Sequence, residues 1–581
     1  MVSLSFIYIE GFRTFEPFSL SLSSQYEISF GFNELRITRK EDYLGNLRGN
    51  NIIDLNIIAG QNGVGKTSLL TQIAQTVNGG SNTMIHDYTA FLYIYQTEKN
   101  SFGYLTSIEG ISFNLPAGCS IADLHRHDCE MPVIYYSPFL DFNIVNEPYN
   151  RNDQPLIDIS LSRTLLDDTD RKSTRTDMLP SVLLHKSKTI ERQVNFIQEN
   201  KDNFEMPFTK PEILYITFHR LQFVEDDISP FSKIIFHKLT DSASAFLRGY
   251  PKNRISKTNF SKILFLRNLL SMYFLSVNKN KSQDILHHKY ADNISRKIEL
   301  FQSSKAKDLI NLYVEFFTVE DVFGTNIFPG LIDYVFDLIE SNLDIHSARH
   351  ANTDFIIELD SNDQRIPLLL KILNQPGNAD SNNKFIVPNL YEFVSFEWRN
   401  LSSGERSFLD LFSRFYAAKN KLKDNNQTIL IVIDEGENGF HPKWQLLYIT
   451  FLLGYFKFIY AEHSIQLLLA THSPLVLSDF PKEYVHLFKK ENGWTVREES
   501  FGTFAQNTST LLAQEFFLDT ALIGQLSKDY IDRLIERIES VKKPYSVRRL
   551  NALNKEISVI DEPVIRRLLH NKLDALINDR N

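Results

Sequence analysis

The chain opens with short runs in which apolar and polar positions alternate or apolar residues cluster: LSFIYIEGF, FSLSLSS, YEISFGF, and IIDLNIIA leading into a glycine-rich loop. Such patterning predicts strands and a β-rich N-terminal lobe. Beyond the loop, SLLTQIAQTV places its apolar residues at helical spacing, so the local order is strand, glycine loop, helix. Strand signals continue through TAFLYIYQT and MPVIYYSPF. From about Ser160 to Leu370 the period lengthens. KILFLRNLLSMYFLSV and AKDLINLYVEFFTVEDVF predict helices, without the sustained heptads of a coiled-coil arm. FVSFEW, TILIVI and IQLLLA return to short runs suited to strands covered on both faces of a sheet. The end of the chain reads as helical again. In DEPVIRRLLHNKLDALI, Asp561 is the expected N-cap, Pro563 an early-turn residue, and Ile565, Leu568, Leu569 and Leu576 share a face.

This order predicts an α/β protein: an N-terminal lobe with the glycine loop over 1–155, an α-helical insertion over 156–385, a C-terminal lobe over 386–500, and a helical tail over 501–581. A net charge of −9 excludes a chain coated in basic residues. Two cysteines exclude a disulfide-built scaffold and fit a reducing compartment. The start, MVSLSFIYIEGFRTF, lacks the features of a signal peptide, and no run reaches the ~18 apolar residues of a membrane span. The expectation is a cytoplasmic protein with no membrane partner. An aromatic content of 12% predicts large buried cores or oligomer faces.

Three stretches carry chemistry. Gly60-Gln61-Asn62-Gly63-Val64-Gly65-Lys66-Thr67-Ser68 has the spacing of a phosphate-binding loop between a strand and a helix. Its glycines let backbone N–H groups turn toward phosphate oxygens, and the helix N-terminus adds partial positive charge. Lys66 is expected at the β- and γ-phosphates of ATP and Thr67 at Mg2+. In TILIVIDEGENGFHPKWQ an apolar strand delivers two carboxylates: Asp434 for the metal's water shell and Glu435 as general base for an attacking water. In IQLLLATHSPLVLSD another strand ends at Thr471-His472-Ser473, with His472 near the γ-phosphate or that water.

LSSGERS, at residues 401–407, resembles the LSGGE/Q signature of ABC-type ATPases, the superfamily of SMC and RecF proteins. The resemblance implies an ABC-type P-loop head in which Ser402, Ser403, Gly404 and Glu405 face a nucleotide held by another protomer, hence a homo-oligomer. Ser403 replaces the first glycine of that pattern. IEGFRTF looks like the opening strand of RecF- and SMC-like heads, which brings Arg13 to the nucleotide. No glutamine matches the metal-contacting Q-loop position, which MPVIYYSPF would occupy. DEGENGFHPKWQ resembles the pattern of OLD-like ATPases at Glu437, His441, Pro442 and Gln445. The motifs and tail resemble the ATPase subunit of Septu-type anti-phage defence systems, some of them retron-associated. That resemblance implies a separately encoded HNH nuclease as partner, and nucleic acid, DNA or a retron RNA–DNA hybrid, reached through the complex. A DNA-repair or recombination ATPase of RecF type is the alternative.

Cys119, His125, His127 and Cys129 have ligand chemistry, but their spacing fits no standard zinc site. His287-His288 reads as a solvent-exposed pair. Lys542-Lys543, Arg548-Arg549 and Arg566-Arg567 are interleaved with acids and read as solvated helix faces. The tail's apolar face suits docking of a partner chain.

Overall fold

A computed structural model describes residues 2–41, 51–78, 89–129, 131–141, 156–168, 178–200, 205–218, 256–278, 305–319, 327–341, 345–347, 355–373, 394–422, 427–498, 502–508, 510–511, 524–540 and 546–578, with isolated positions at 45, 49, 237 and 241. His287, His288, Lys542 and Lys543 lie outside these residues, as does the side chain of His127.

The centre is a seven-stranded sheet in the order Leu156–Asp158, Val133–Tyr136, Thr428–Asp434, Ser464–Thr471, Ile52–Gly60, Val485–Glu491 and Trp494–Glu498. Pairing is parallel up to the final hairpin. That hairpin turns at Asn492-Gly493, both at positive φ, as a tight two-residue turn requires. All seven residues of Thr428–Asp434 are buried, which is why this strand reads as one unbroken apolar run.

Helix Lys66–Val77 covers one face through Leu69, Leu70, Ile73, Ala74 and Val77. Above it lies a five-stranded sheet, Phe18–Ser21, Ser3–Glu10, Ala90–Glu98, Ser101–Thr106 and Ser120–Asp123, whose Leu4, Ile7 and Ile9 share a core with Ile58 and Leu468. A three-stranded sheet, Tyr26–Gly31, Glu34–Arg39 and Ser112–Asn114, closes the outer side around Phe6, Ile28, Ile37 and Ile94. The opposite face of the central sheet packs against helices Ser403–Lys419 and Tyr448–Ile459 in the largest core.

The helical reading of 156–385 needs correction in two places. Leu156–Asp158 is an edge strand of the central sheet. Ile213–Phe218 and Phe355–Asp360 form, with Ile345–Ser347 and Val394–Trp398, a four-stranded antiparallel sheet. In ILYITF, Leu214, Ile216 and Phe218 are fully buried while the intervening residues are half-covered, the period of a strand. Around this sheet lie helices Met178–Glu199, Lys257–Asn278, Ala306–Val319, Ile327–Ser341 and Arg365–Leu373. Met178–Glu199 runs against Ser403–Lys419, and Trp398 donates its indole N–H to Gln193 at 2.8 Å.

Helices Gln525–Glu539, Val547–Ile557 and Pro563–Asn578 gather Leu534, Ile538, Leu553, Ile557, Leu569 and Leu573 into a core of their own. Leu568 departs from the expected face and is 61% exposed. Glu562, not Asp561, accepts the Ile565 N–H at the helix start. Among the described residues no helix is long and apolar enough to cross a membrane.

Candidate nucleotide site

Parallel register brings three sequence-distant segments to one edge of the central sheet. Asp434 pairs with Ala470, and Thr471 with Ala59, so the loops after all three strands emerge side by side. The loop after Ile52–Gly60 is shaped by its glycines. At Gly60, φ 149°, a Cβ would lie 2.0 Å from the Phe488 carbonyl oxygen. Gly65, at φ 95°, precedes the helix in the left-handed region, with the Phe15 ring 3.0 Å from where a Cβ would stand. Only glycine fits both conformation and space.

Lys66 is buried and donates to the Gly60 and Gln61 carbonyls at 3.2 and 3.3 Å. Burial lowers its pKa, against the pull of Glu435, Asp434 and Glu437. Thr67 donates its hydroxyl to Asp434 Oδ2 at 2.6 Å. Asp434 is fully buried, and its other oxygen, Oδ1, has no hydrogen-bond partner. Burial lifts this carboxyl to about 6, moderated by the Thr67 hydrogen bond and raised further by Glu435. A buried acceptor with one oxygen spare beside a threonine hydroxyl fits a hard divalent cation. Among the described residues no three His, Cys, Asp or Glu side chains are grouped to hold a metal by themselves. Magnesium suits this donor set, since it keeps several waters and takes one or two carboxylates plus phosphate.

Glu435 adopts a left-handed backbone, φ 49°, which is strained for this side chain. Its N–H is held by Ala470 O at 3.0 Å, and its Oε1 lies 3.1 Å from His472 Nδ1. Burial alone would raise the Glu435 pKa; the hydrogen bond and charge of His472, with Lys66, bring it below the ordinary value. The same hydrogen bond raises that of His472. Glu437 is buried, accepts a hydrogen bond from Thr471, and is pushed by burial to about 7. Gln445 accepts from the Ser473 hydroxyl at 2.8 Å. His441 caps the turn Pro442–Gln445 through the Lys443 N–H.

Arg13, also left-handed at φ 49°, donates to Ser68 Oγ at 2.5 Å, with its guanidinium 5.6 Å from the Phe12 ring centre. The structure thus brings together the loop 60–68, Arg13, Asp434, Glu435 and His472. It does not bring residues 401–405 to them: among the described residues no hydrogen bond or ion pair links that segment to the loop, and Ser402 and Ser403 are exposed. Ser402 caps helix Ser403–Lys419, in a capping box with Glu405. A Cβ on Gly404 would come within 3.1 Å of both Gly439 O and Trp444, so this helix start abuts the loop after Asp434.

Sequence reasoning missed Asp141, whose charge adds a small part, after burial, to the raised pKa of Asp434 and Tyr135. It missed Phe15 under the loop as well. Neither carries a local signal, because each acts through residues far away in the chain. Cys129 is buried with its thiol 3.6 Å from His125 O, and Cys119 packs against the core between the five-stranded and three-stranded sheets.

A strand-loop-helix phosphate cradle facing a buried carboxylate on a neighbouring parallel strand defines a P-loop nucleotide-binding α/β protein. The sequence matches, over residues 182–478, the family described as "AAA domain, putative AbiEii toxin, Type IV TA system". The chain belongs to this family of AAA domains. The matched region takes in Ser402, Asp434, Glu435 and His472; the loop 60–68 precedes it. Over 150 residues, 25% of this chain, it is 29% identical to the "Retron Vc95 probable ATPase" of Vibrio cholerae serotype O1 biovar El Tor. The aligned stretch spans 27% of that curated relative's length.

Proposed function

We propose that the chain hydrolyses ATP with magnesium, at a site completed by a second copy, as the regulatory subunit of a bacterial anti-phage defence complex controlling a separate HNH nuclease. The observation that carries the ATPase reading is the 2.6 Å bond from Thr67 to Asp434, which leaves Asp434 Oδ1 buried and unpartnered below the phosphate cradle. In this reading Gly60 to Ser68 wrap the phosphates with backbone N–H groups, Lys66 neutralises their charge, and Arg13 reaches them beside Ser68. Magnesium, when bound, supplies charge neutralisation at the phosphate oxygens. Glu435 takes a proton from the attacking water as its oxygen bonds to the γ-phosphorus; the bond to the ADP oxygen breaks, giving ADP and phosphate. His472 holds Glu435 in place and faces the γ-phosphate. Exposure of Ser402 and Ser403 supports their use by the nucleotide of another copy. The defence setting is supported by the retron ATPase relative.

The test is phosphate release from Mg-ATP together with recovery of the tagged chain from its native operon, with and without ATP. Expected are turnover in the wild type, a loss of ~100-fold or more in Lys66→Ala and Glu435→Gln, and a co-purifying small HNH protein. Normal turnover in both variants would sink the ATPase reading. A lone oligomer holding only duplex DNA would replace the nuclease-control reading with that of a DNA-repair clamp.

A further inference from the structure

The hairpin Val485–Glu491 and Trp494–Glu498 flanks the phosphate loop on the side away from Asp434, because Ile52–Gly60 lies between it and the strands that lead to Asp434 and His472. It braces the loop closely. The Phe488 carbonyl fills the space over Gly60, and the buried Thr495 donates its hydroxyl to Val64 O at 3.1 Å. The Thr495 N–H donates to Thr14 O at 2.7 Å, which seats the adjoining Phe15 beneath Gly65.

Lys490 stands directly across from Thr495, so the two side chains share the face turned to the loop. Its Nζ lies 3.9 Å from where a Cβ on Gly63 would stand, and among the described residues no other heavy atom comes within 4 Å of that point. The side chain is exposed and has no hydrogen-bond or ion-pair partner among the described residues. The neighbouring Lys489, on the other face, is matched by Glu498 at 3.0 Å and Glu491 at 3.7 Å. Lys490 thus joins Lys66 and Arg13 around a loop, Gly60 to Ser68, that contains no acid. Cations gathered at a helix N-terminus disfavour one another until an anion lies among them.

We infer that Lys490 is a nucleotide-binding residue whose ammonium pairs with the phosphate chain at the phosphates that ADP keeps. This rests on the nucleotide-site reading above. The sheet order decides which phosphates: Asp434, Glu435 and His472 take the γ-phosphate on one flank, and Lys490 comes from the other. Lys490 therefore holds ATP and ADP alike, and its contact outlasts departure of the γ-phosphate. It also makes the hairpin, more than four hundred residues after the loop, a wall of the nucleotide site.

The experiment measures binding of fluorescent ADP and of a fluorescent, non-hydrolysable ATP analogue to the full chain, with magnesium, from low to high salt. Lys490→Gln should raise both dissociation constants about tenfold at low salt. The gap to wild type should close as salt screens the pair. Lys490→Arg should restore most of the affinity, and Lys489→Gln, which alters the other face, should leave it unchanged. In phosphate release the loss should appear in KM rather than in kcat. Unchanged ADP affinity in Lys490→Gln, or a loss that arginine does not restore and salt does not narrow, overturns this inference alone, provided the wild type binds both nucleotides and Lys66→Ala does not. Absence of nucleotide binding in the wild type overturns the nucleotide-site reading and this inference with it.

Discussion

His472 Nδ1 and Glu435 Oε1 meet at 3.1 Å where two neighbouring parallel strands end, and each holds the other in its charged form. Glu435 is lowered and His472 raised from their ordinary values. The histidine's contribution to stability is whole below its ordinary pKa and is lost as pH rises through the raised one. The glutamate's is present above its ordinary pKa and is lost as pH falls through the lowered one. The pair is therefore intact between the two ordinary values, about 4.3 and 6.5, and somewhat beyond each. In Glu435→Gln the His472 titration, followed by NMR on 13C-labelled histidine, should fall back toward 6.5. An unmoved titration would mean the pair does not form in solution.

Ser402 has a structural duty that can be separated from any contact with nucleotide. Ser402→Ala removes the capping box and should cost about 1 kcal/mol, read by urea denaturation. Ser402→Asp keeps a cap and should keep the stability, while placing a negative charge where phosphate is expected. Full hydrolysis in Ser402→Asp would argue that the signature does not face an anion.

Glu437 predicts a pH dependence of its own. Its folded-state pKa is raised to about 7, so the folded chain binds a proton that the unfolded chain has released. Stability should fall as pH rises from the ordinary glutamate range to about 7 and level off above. Glu437→Gln stays neutral and should flatten that decline in melting temperature across pH 5–8; an unaltered slope would assign the decline to other groups.

Asp168 ties helix Leu161–Asp168 to helix Met178–Glu199. It accepts a bidentate pair from Arg192 at 3.0 and 2.7 Å and a bond from His185 at 2.7 Å. Burial opposes its ionisation, but the hydrogen bonds from His185 and Arg192 carry its pKa below the ordinary value. This contribution is present above pH ~4 and is lost as pH falls through the lowered value. Asp168→Asn leaves the partly buried Arg192 guanidinium without its hydrogen-bonded counter-charge and should cost about 3 kcal/mol in urea denaturation at pH 7. A loss under ~1 kcal/mol would show the helices are held by apolar packing alone.

The central strands were legible from short apolar runs, clearest in TILIVID, where five apolar residues lead into Asp434 before Glu435. The strand ILYITF was not. Its alternation is blurred by Ile213 and Tyr215 on the half-covered face, and its partners Phe355–Asp360 and Val394–Trp398 lie far along the chain. The three residues Leu156–Asp158 are too few to display a period. The candidate site divides the same way. Lys66, Asp434 and His472 stand at motif positions that announce themselves, whereas the hydrogen bonds from Thr471 to Glu437 and from Thr67 to Asp434 exist only after the strands are laid side by side.

The strand Ile52–Gly60 is flanked by Ser464–Thr471 and Val485–Glu491. On the ribosome, the phosphate loop is made early and must wait for both neighbours before its strand can be enclosed. Closing so wide a span is entropically slow, and an apolar strand with open edges invites wrong pairing in the meantime. A truncated product ending before residue 464 would therefore carry the whole phosphate loop without either strand that flanks it in the finished sheet.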